Sequence, residues 1–224
     1  MYPFGFRSVY VTDWAAPDDA SQARLGRICE GFGIDDARVV GAAELAELVE
    51  AQGWNAPVRT GALPDPRERD LVLNAYRFDG SAERDIERYP ALRSWTMGSE
   101  KPWSWRDAAL EGAGSGSVCQ SAWELHSIYG CLHACRYCHV GRLVNMMLNL
   151  EQIRDRLHEL FALLPSQRLF KYDNQTDTLC FEPEYGASET FVPFFGEQNS
   201  RYLMLYTKSD NVDHLLSLPH NGQT

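Results

Sequence analysis

The sequence contains no run approaching the roughly 18 apolar residues of a membrane-crossing helix. Residues 1–12 show neither the charged and apolar regions nor the small-residue cleavage site of a secretory signal. The expectation from both absences is a cytoplasmic protein with no membrane contact. Positive charge is also scarce. Lys and Arg number 21 against 31 Asp and Glu, a formal charge of -10. The deficit holds in each half, with 13 basic against 19 acidic residues in 1–120, then 8 against 12 in 121–224. A dedicated non-specific nucleic-acid binder shows a basic face, so this balance argues against one while leaving room for a local patch. No self-similarity of solenoid period is present. Cysteine is sparse, at six residues in 224, and three of the six are crowded into one short stretch, which suits a metal better than disulfide bridges.

What is present is an ordinary globular composition, 44% hydrophobic, with several legible elements. Ser8–Thr12 alternates and is β-branched, as a strand should be, and Pro17, Asp18 and Asp19 start a helix whose apolar face carries Leu25, Ile28, Cys29 and Phe32. Ala42–Gln52 reads as a second helix stopped by Gly53, and 70–76 as a second strand. Residues 78–120 hold Trp95, Trp103 and Trp105 among Pro, Gly and charge without a period, and read as a long loop pinned by aromatic anchors. The stretch 111–117 is linker-like. The expected division is therefore a small α/β unit with a Trp-containing loop over 1–110, a Gly/Ser-rich linker over 111–121 and a second domain over 122–224. In that second part, predicted strands at 123–129, 168–172 and 201–207 alternate with helices at 149–164 (Asn149 as N-cap), 188–195 and 211–218. Such alternation implies a parallel sheet whose active face lies at the carboxyl ends of its strands. Three polar loops should converge there: a cysteine cluster, then 173–177, then 208–210.

The cysteine cluster is Cys131-Leu-His-Ala-Cys135-Arg-Tyr-Cys138, a C-x3-C-x2-C spacing directly after a predicted strand. A 4Fe-4S cluster usually takes four thiolates, one per iron, so three thiolates without a fourth at matching spacing leave one iron open to a ligand. Two alternatives remain. One is a Cys3His zinc site completed by His133 or His139, although zinc more often uses paired C-x2-C knuckles. The other is an electron-transfer cluster, which needs a fourth cysteine, and Cys180 is a remote candidate for it. Otherwise Cys29, Cys119 and Cys180 read as small buried hydrophobes.

The loop resembles that of the radical S-adenosylmethionine superfamily, and three segments carry a closer resemblance to the spore photoproduct lyase family: 130–138, then 168–177, then Tyr206-Thr-Lys-Ser-Asp-Asn-Val-Asp-His-Leu-Leu216 continuing to His220-Asn-Gly222. The fold this implies is a partial (β/α) barrel, truncated here and preceded by a small α/β domain. The implied cofactors are a 4Fe-4S cluster on Cys131, Cys135 and Cys138 and S-adenosylmethionine on the open iron, cleaved reductively to a 5′-deoxyadenosyl radical. Tyr137 falls on the family's aromatic contact to the cofactor, Lys208 on the lysine that pairs with the cofactor's carboxylate, and Thr176 on a hydroxyl position. Asn174 and Asp177 would border the substrate. The implied partners are an external electron donor such as flavodoxin or ferredoxin, and a substrate that in the family is thymine-dimer DNA.

Two departures limit that resemblance. Asn174 stands where the family has a cysteine that donates a hydrogen atom, and an amide does not do this. The chain also ends at Thr224 with only three or four βα units, so a missing C-terminal segment or a partner is expected to complete the barrel. The alternatives to radical chemistry on an unknown substrate are thymine-dimer repair, a non-catalytic fragment, or a zinc-binding module.

Overall fold

The computed structural model describes residues 5–56, 69–93, 103–105, 122–133, 135, 137, 138 and 143–224. The expected linker at 111–121, with Trp95, Cys119 and His139, lies outside them.

Local signals set the first elements. Strand β1 (Ser8–Thr12) leads to helix α1 (Asp19–Phe32), where the Asp18 carboxylate accepts the Ser21 N–H at 2.8 Å. This satisfies one of the donors that a helix start leaves free. Strand β2 (Arg38–Val40), helix α2 (Ala42–Gln52), closed by Gly53 in the left-handed region, and strand β3 (Asp70–Asn74) follow. The stretch expected to be a loop instead contains helix α3 (Ser81–Arg88), a 3-10 turn over Pro90–Arg93 and strand β4 (Trp103–Trp105). Helix α3 buries only Ala82, so it carries no apolar stripe to betray it. The predicted strand at 123–129 breaks into β5 (Trp123–Leu125) and β6 (Ile128–Tyr129). Strand β7 (Leu143–Met147), helix α4 (Leu150–Leu163), strand β8 (Leu169–Tyr172), helix α5 (Ala187–Gly196), strand β9 (Tyr202–Leu205) and a 3-10 turn over Asp213–Ser217 complete the chain.

The expected α/β class with parallel strands is observed. Among the described residues the strands form two sheets, ordered β2-β1-β3-β7-β6 and β4-β5-β8-β9, and they do not close into a barrel. Of the described strands, only β6 and β4 run antiparallel to their neighbours. The first sheet takes strands from both sides of the 111–121 segment. Strands β3 and β7 are buried at every position, as parallel strands covered on both faces must be.

The β5–β6 break is the hinge between the sheets. Asp173 N–H bonds Leu125 O at 3.0 Å on the second sheet, and Met147 N–H bonds Ser127 O at 2.8 Å on the first. The fully buried Asp173 carboxylate accepts the N–H groups of Ser127 and Ile128 at 3.1 and 3.3 Å, and that of Gln175 at 2.8 Å. The kink thus keeps its backbone donors paired inside the protein. Three buried tyrosines add to it: Tyr76 donates to His126 O, Tyr185 to Ser127 O and Met147 O, and Tyr172 meets the Ser127 hydroxyl.

Helix α4 lays Leu150, Ile153, Leu157, Leu160 and Phe161 against the core, where Phe161 meets Phe170 of β8 at 5.0 Å and Phe194 and Phe195 of α5, each at 5.8 Å. Asn149 does not cap this helix with its side chain. Its amide instead pairs with the backbone of Tyr76, accepting from N–H and donating to C=O, both at 2.9 Å. The buried Arg24 of α1 reaches Glu151 with two bonds of 2.9 and 2.7 Å and the carbonyls of Leu148 and Tyr185, so α1 is tied to the later half of the chain. Among the described residues strand β9 is the outer strand of its sheet, and its edge is partly covered: Leu203 N–H donates to Gln223 O at 2.8 Å.

Candidate functional site

The cysteine loop begins where β6 ends. Gly130 takes φ 105 there, and a Cβ at this position would collide with Leu143 O, so a glycine is required for the chain to turn away from β7. Its N–H bonds Gln175 O at 3.0 Å, which fastens the loop to the segment after β8. Asp173, at φ 48, turns that segment back, and Asp tolerates the left-handed region better than most residues.

One cavity of about 130 Å³ lies at this junction, and its lining includes Cys131, Cys135, Cys138, Tyr137, Asn174, Thr176, Asp177 and Lys208. The residues nominated for the cluster, the cofactor and the substrate border therefore reach the same place, from the loop after β6 and from the carboxyl ends of β8 and β9. Cys131 is buried and Tyr137, 68% exposed, stands at the mouth. The neighbouring Cys135 thiol raises the pKa of the Tyr137 hydroxyl. Thr176 makes only a 3.4 Å contact to Asp177 O.

Asp177 is the hub of the polar lining. Its carboxylate accepts Lys208 N–H at 2.5 Å, the Thr207 hydroxyl at 2.8 Å and Leu179 N–H at 3.1 Å, and His133 Nε2 stands 3.5 Å away. It thereby fixes the β9 loop that carries Lys208. Asn174 points its amide nitrogen at Glu124 Oε1, 2.8 Å away, and the same oxygen accepts from Lys171 at 3.3 Å. Glu124 and Lys171 face each other in the β5–β8 register, a buried ion pair beneath the cavity that sequence reading did not foresee.

Cys180 is a small buried residue of the main core, as expected. A turn returns its N–H to Asp177 O at 3.3 Å. The nearby Cys180 thiol lowers the Cys131 pKa, while burial pushes the Cys180 thiol well up. The Cys131 sulfur also accepts His133 N–H at 3.4 Å. Among the described residues no three His, Cys, Asp or Glu side chains are gathered closely enough to hold a single metal ion. No described helix is long and apolar enough to cross a membrane.

No family model matches the chain, and no curated protein matches it by sequence. Solved structures do match. Spore photoproduct lyase complexed with dinucleoside spore photoproduct is similar at a TM-score of 0.60 and 18% identity, over 99% of this chain and 55% of that one. A mutant of spore photoproduct lyase with bound AdoMet and dinucleoside spore photoproduct is similar at a TM-score of 0.58 and 18% identity, over the same shares. At this identity the likeness is one of fold: the chain has the mixed α/β fold of spore photoproduct lyase structures and spans 55% of their length.

Proposed function

We propose that this chain holds a 4Fe-4S cluster on Cys131, Cys135 and Cys138 and binds S-adenosylmethionine for reductive cleavage, starting hydrogen abstraction from a substrate. The observation that carries the reading is convergence: residues nominated from three separate sequence segments line one cavity. The donor set fits the group, because a cluster takes each thiolate on a different iron and does not need them to meet at a point. The His133 N–H already directed at Cys131 is the kind of donor that stabilises a thiolate ligand. When bound, the cluster supplies the electron that breaks a carbon–sulfur bond of S-adenosylmethionine and yields a 5′-deoxyadenosyl radical.

The chain's own residues do the positioning. Lys208 offers an ammonium to the cofactor's carboxylate, and Asp177 holds the backbone of Lys208 in place. Tyr137 stands at the mouth beside Lys208 to contact the cofactor, and Thr176 adds a hydroxyl to the lining. Asp177, with its oxygens already engaged, acts as a positioning residue at the substrate's border, and Asn174 borders the same space from the end of β8. An external electron donor of the flavodoxin or ferredoxin kind is the required partner.

A second reading, repair of a thymine dimer in DNA, is favoured by the dinucleoside spore photoproduct in the similar structures. Against it stand Asn174, whose amide is held by Glu124 and is no hydrogen-atom donor, and the acidity of both halves of the chain. The test of the first reading is cofactor cleavage. Reconstituted protein with S-adenosylmethionine and a strong reductant should release 5′-deoxyadenosine, and Lys208→Ala should release at least about tenfold less, the equivalent of one lost charge-assisted contact. Equal release from the variant removes Lys208 from the site, and none from the parent leaves a non-catalytic fragment. Turnover of a thymine-dimer dinucleotide decides the second reading.

A further inference from the structure

We propose that His214 is a positioning residue for Lys208, latching the 207–217 segment that carries this lysine onto the start of helix α5. Its effect on cofactor binding rests on the role proposed above for Lys208. Two buried carboxyl residues, Asp177 and Glu182, hold the segment at separate points. Asp177 accepts the Lys208 N–H and the Thr207 hydroxyl. Glu182 takes the far end twice over. Its backbone C=O accepts the Asn211 amide, and its Oε2 meets the Ser188 hydroxyl at 2.6 Å, whose oxygen lies 3.2 Å from His214 Nε2. Between the two anchors runs a chain of short polar bonds: Ser209 N–H on Thr207 Oγ1 at 2.9 Å, then Asn211 N–H on Ser209 Oγ at 3.1 Å.

The histidine matters because little else holds the turn it sits on. The 3-10 turn Asp213–Ser217 buries none of its residues, so apolar packing contributes little there. The imidazole has one hydrogen bond among the described residues, since Nδ1 is buried without a partner and Nε2 faces Ser188. Ser188 is a firm anchor: it stands in the first turn of α5, where Glu182 Oε1 also accepts the Ala187 N–H at 2.8 Å. Nε2 donates or accepts according to its tautomer, so the bond survives whichever way the Ser188 hydroxyl points. Without it the turn and the loop leading back to Lys208 sample a wider range of positions, and the ammonium meets the cofactor's carboxylate less often.

The test compares two amide substitutions that differ in reach. His214→Gln places its amide where Nε2 stands and keeps the bond to Ser188, whereas His214→Asn is one methylene too short. In the metal-free chain, amide exchange at Ser209 and Asn211 should quicken about fivefold in His214→Asn, the equivalent of one lost hydrogen bond, and stay near the parent rate in His214→Gln. Exchange in the core strand β3 should be unchanged in both. After reconstitution, equilibrium dialysis with S-adenosylmethionine should show about fivefold weaker binding by His214→Asn, restored by His214→Gln. Leu216→Ala, at an 84% exposed residue of the same turn, should match the parent throughout. Parent-like exchange in His214→Asn overturns the latch. Parent-like binding by His214→Asn, or equally weak binding by both variants, overturns the positioning role. If exchange changes as expected but the reconstituted parent binds no S-adenosylmethionine, the cofactor reading alone fails and the latch is upheld.

Discussion

Raising the pH through neutrality should destabilise this protein through one carboxyl group, that of Glu182. Its side chain is completely buried in the loop between β8 and α5, where Oε1 accepts Ala187 N–H at 2.8 Å and Oε2 meets the Ser188 hydroxyl at 2.6 Å. Burial is the dominant influence and outweighs these hydrogen bonds, pushing the pKa from 4.5 to about 7. The folded state therefore holds a proton on Glu182 that the unfolded chain has released. Stability from this group is complete below about pH 4.5, falls as pH rises, and is gone once pH passes about 7. A shift of this size corresponds to about 3 kcal/mol. His214, whose Nε2 lies 3.2 Å from the Ser188 hydroxyl, opposes the trend: burial lowers its pKa, so it favours the folded state less as pH drops below the usual histidine range. The comparison must therefore be with Glu182→Gln, which keeps His214 and mimics the protonated carboxyl. Urea denaturation between about pH 5 and pH 8 should show the parent losing about 2.5 kcal/mol relative to the variant. Parallel curves for the two proteins would refute the reasoning.

Other expectations follow from single residues. Gly130→Ala forces a side chain into a left-handed backbone and into Leu143 O, and should cost about 2 kcal/mol or more in urea denaturation. Asp177→Ala leaves Lys208 N–H, the Thr207 hydroxyl and Leu179 N–H without their acceptor. It should cost about 2–3 kcal/mol and speed amide exchange at Leu179 and Lys208, while Asp177→Asn should cost less. Arg24→Met removes the partner of Glu151 and the donor to the carbonyls of Leu148 and Tyr185. A loss of about 3 kcal/mol is expected, and an unchanged denaturation midpoint would show that the tie contributes nothing.

Much of the fold was legible because its elements carry local signals. The helices over Asp19–Phe32, Ala42–Gln52 and Leu150–Leu163 have an apolar face, and Gly33 and Gly53 stop the first two. Strand β7 was missed because Leu143-Val-Asn-Met-Met147 is buried on both faces and shows no alternation. The break at His126–Ser127 was invisible because the group that holds it, Asp173, is 46 residues away in sequence. Site residues were legible to the extent that they sit in motifs at strand ends. The Glu124–Lys171 pair was not, since it forms only across the β5–β8 register.

The central claim is that three cysteines in one loop hold a cluster. Anaerobic reconstitution of the chain with iron and sulfide, followed by chemical analysis and absorption spectroscopy, tests it most directly. The account requires about four irons and four sulfides per chain, abolished by replacing Cys131, Cys135 or Cys138 with alanine and retained by Cys29→Ala. Tight binding of one zinc per chain with no sulfide would contradict it.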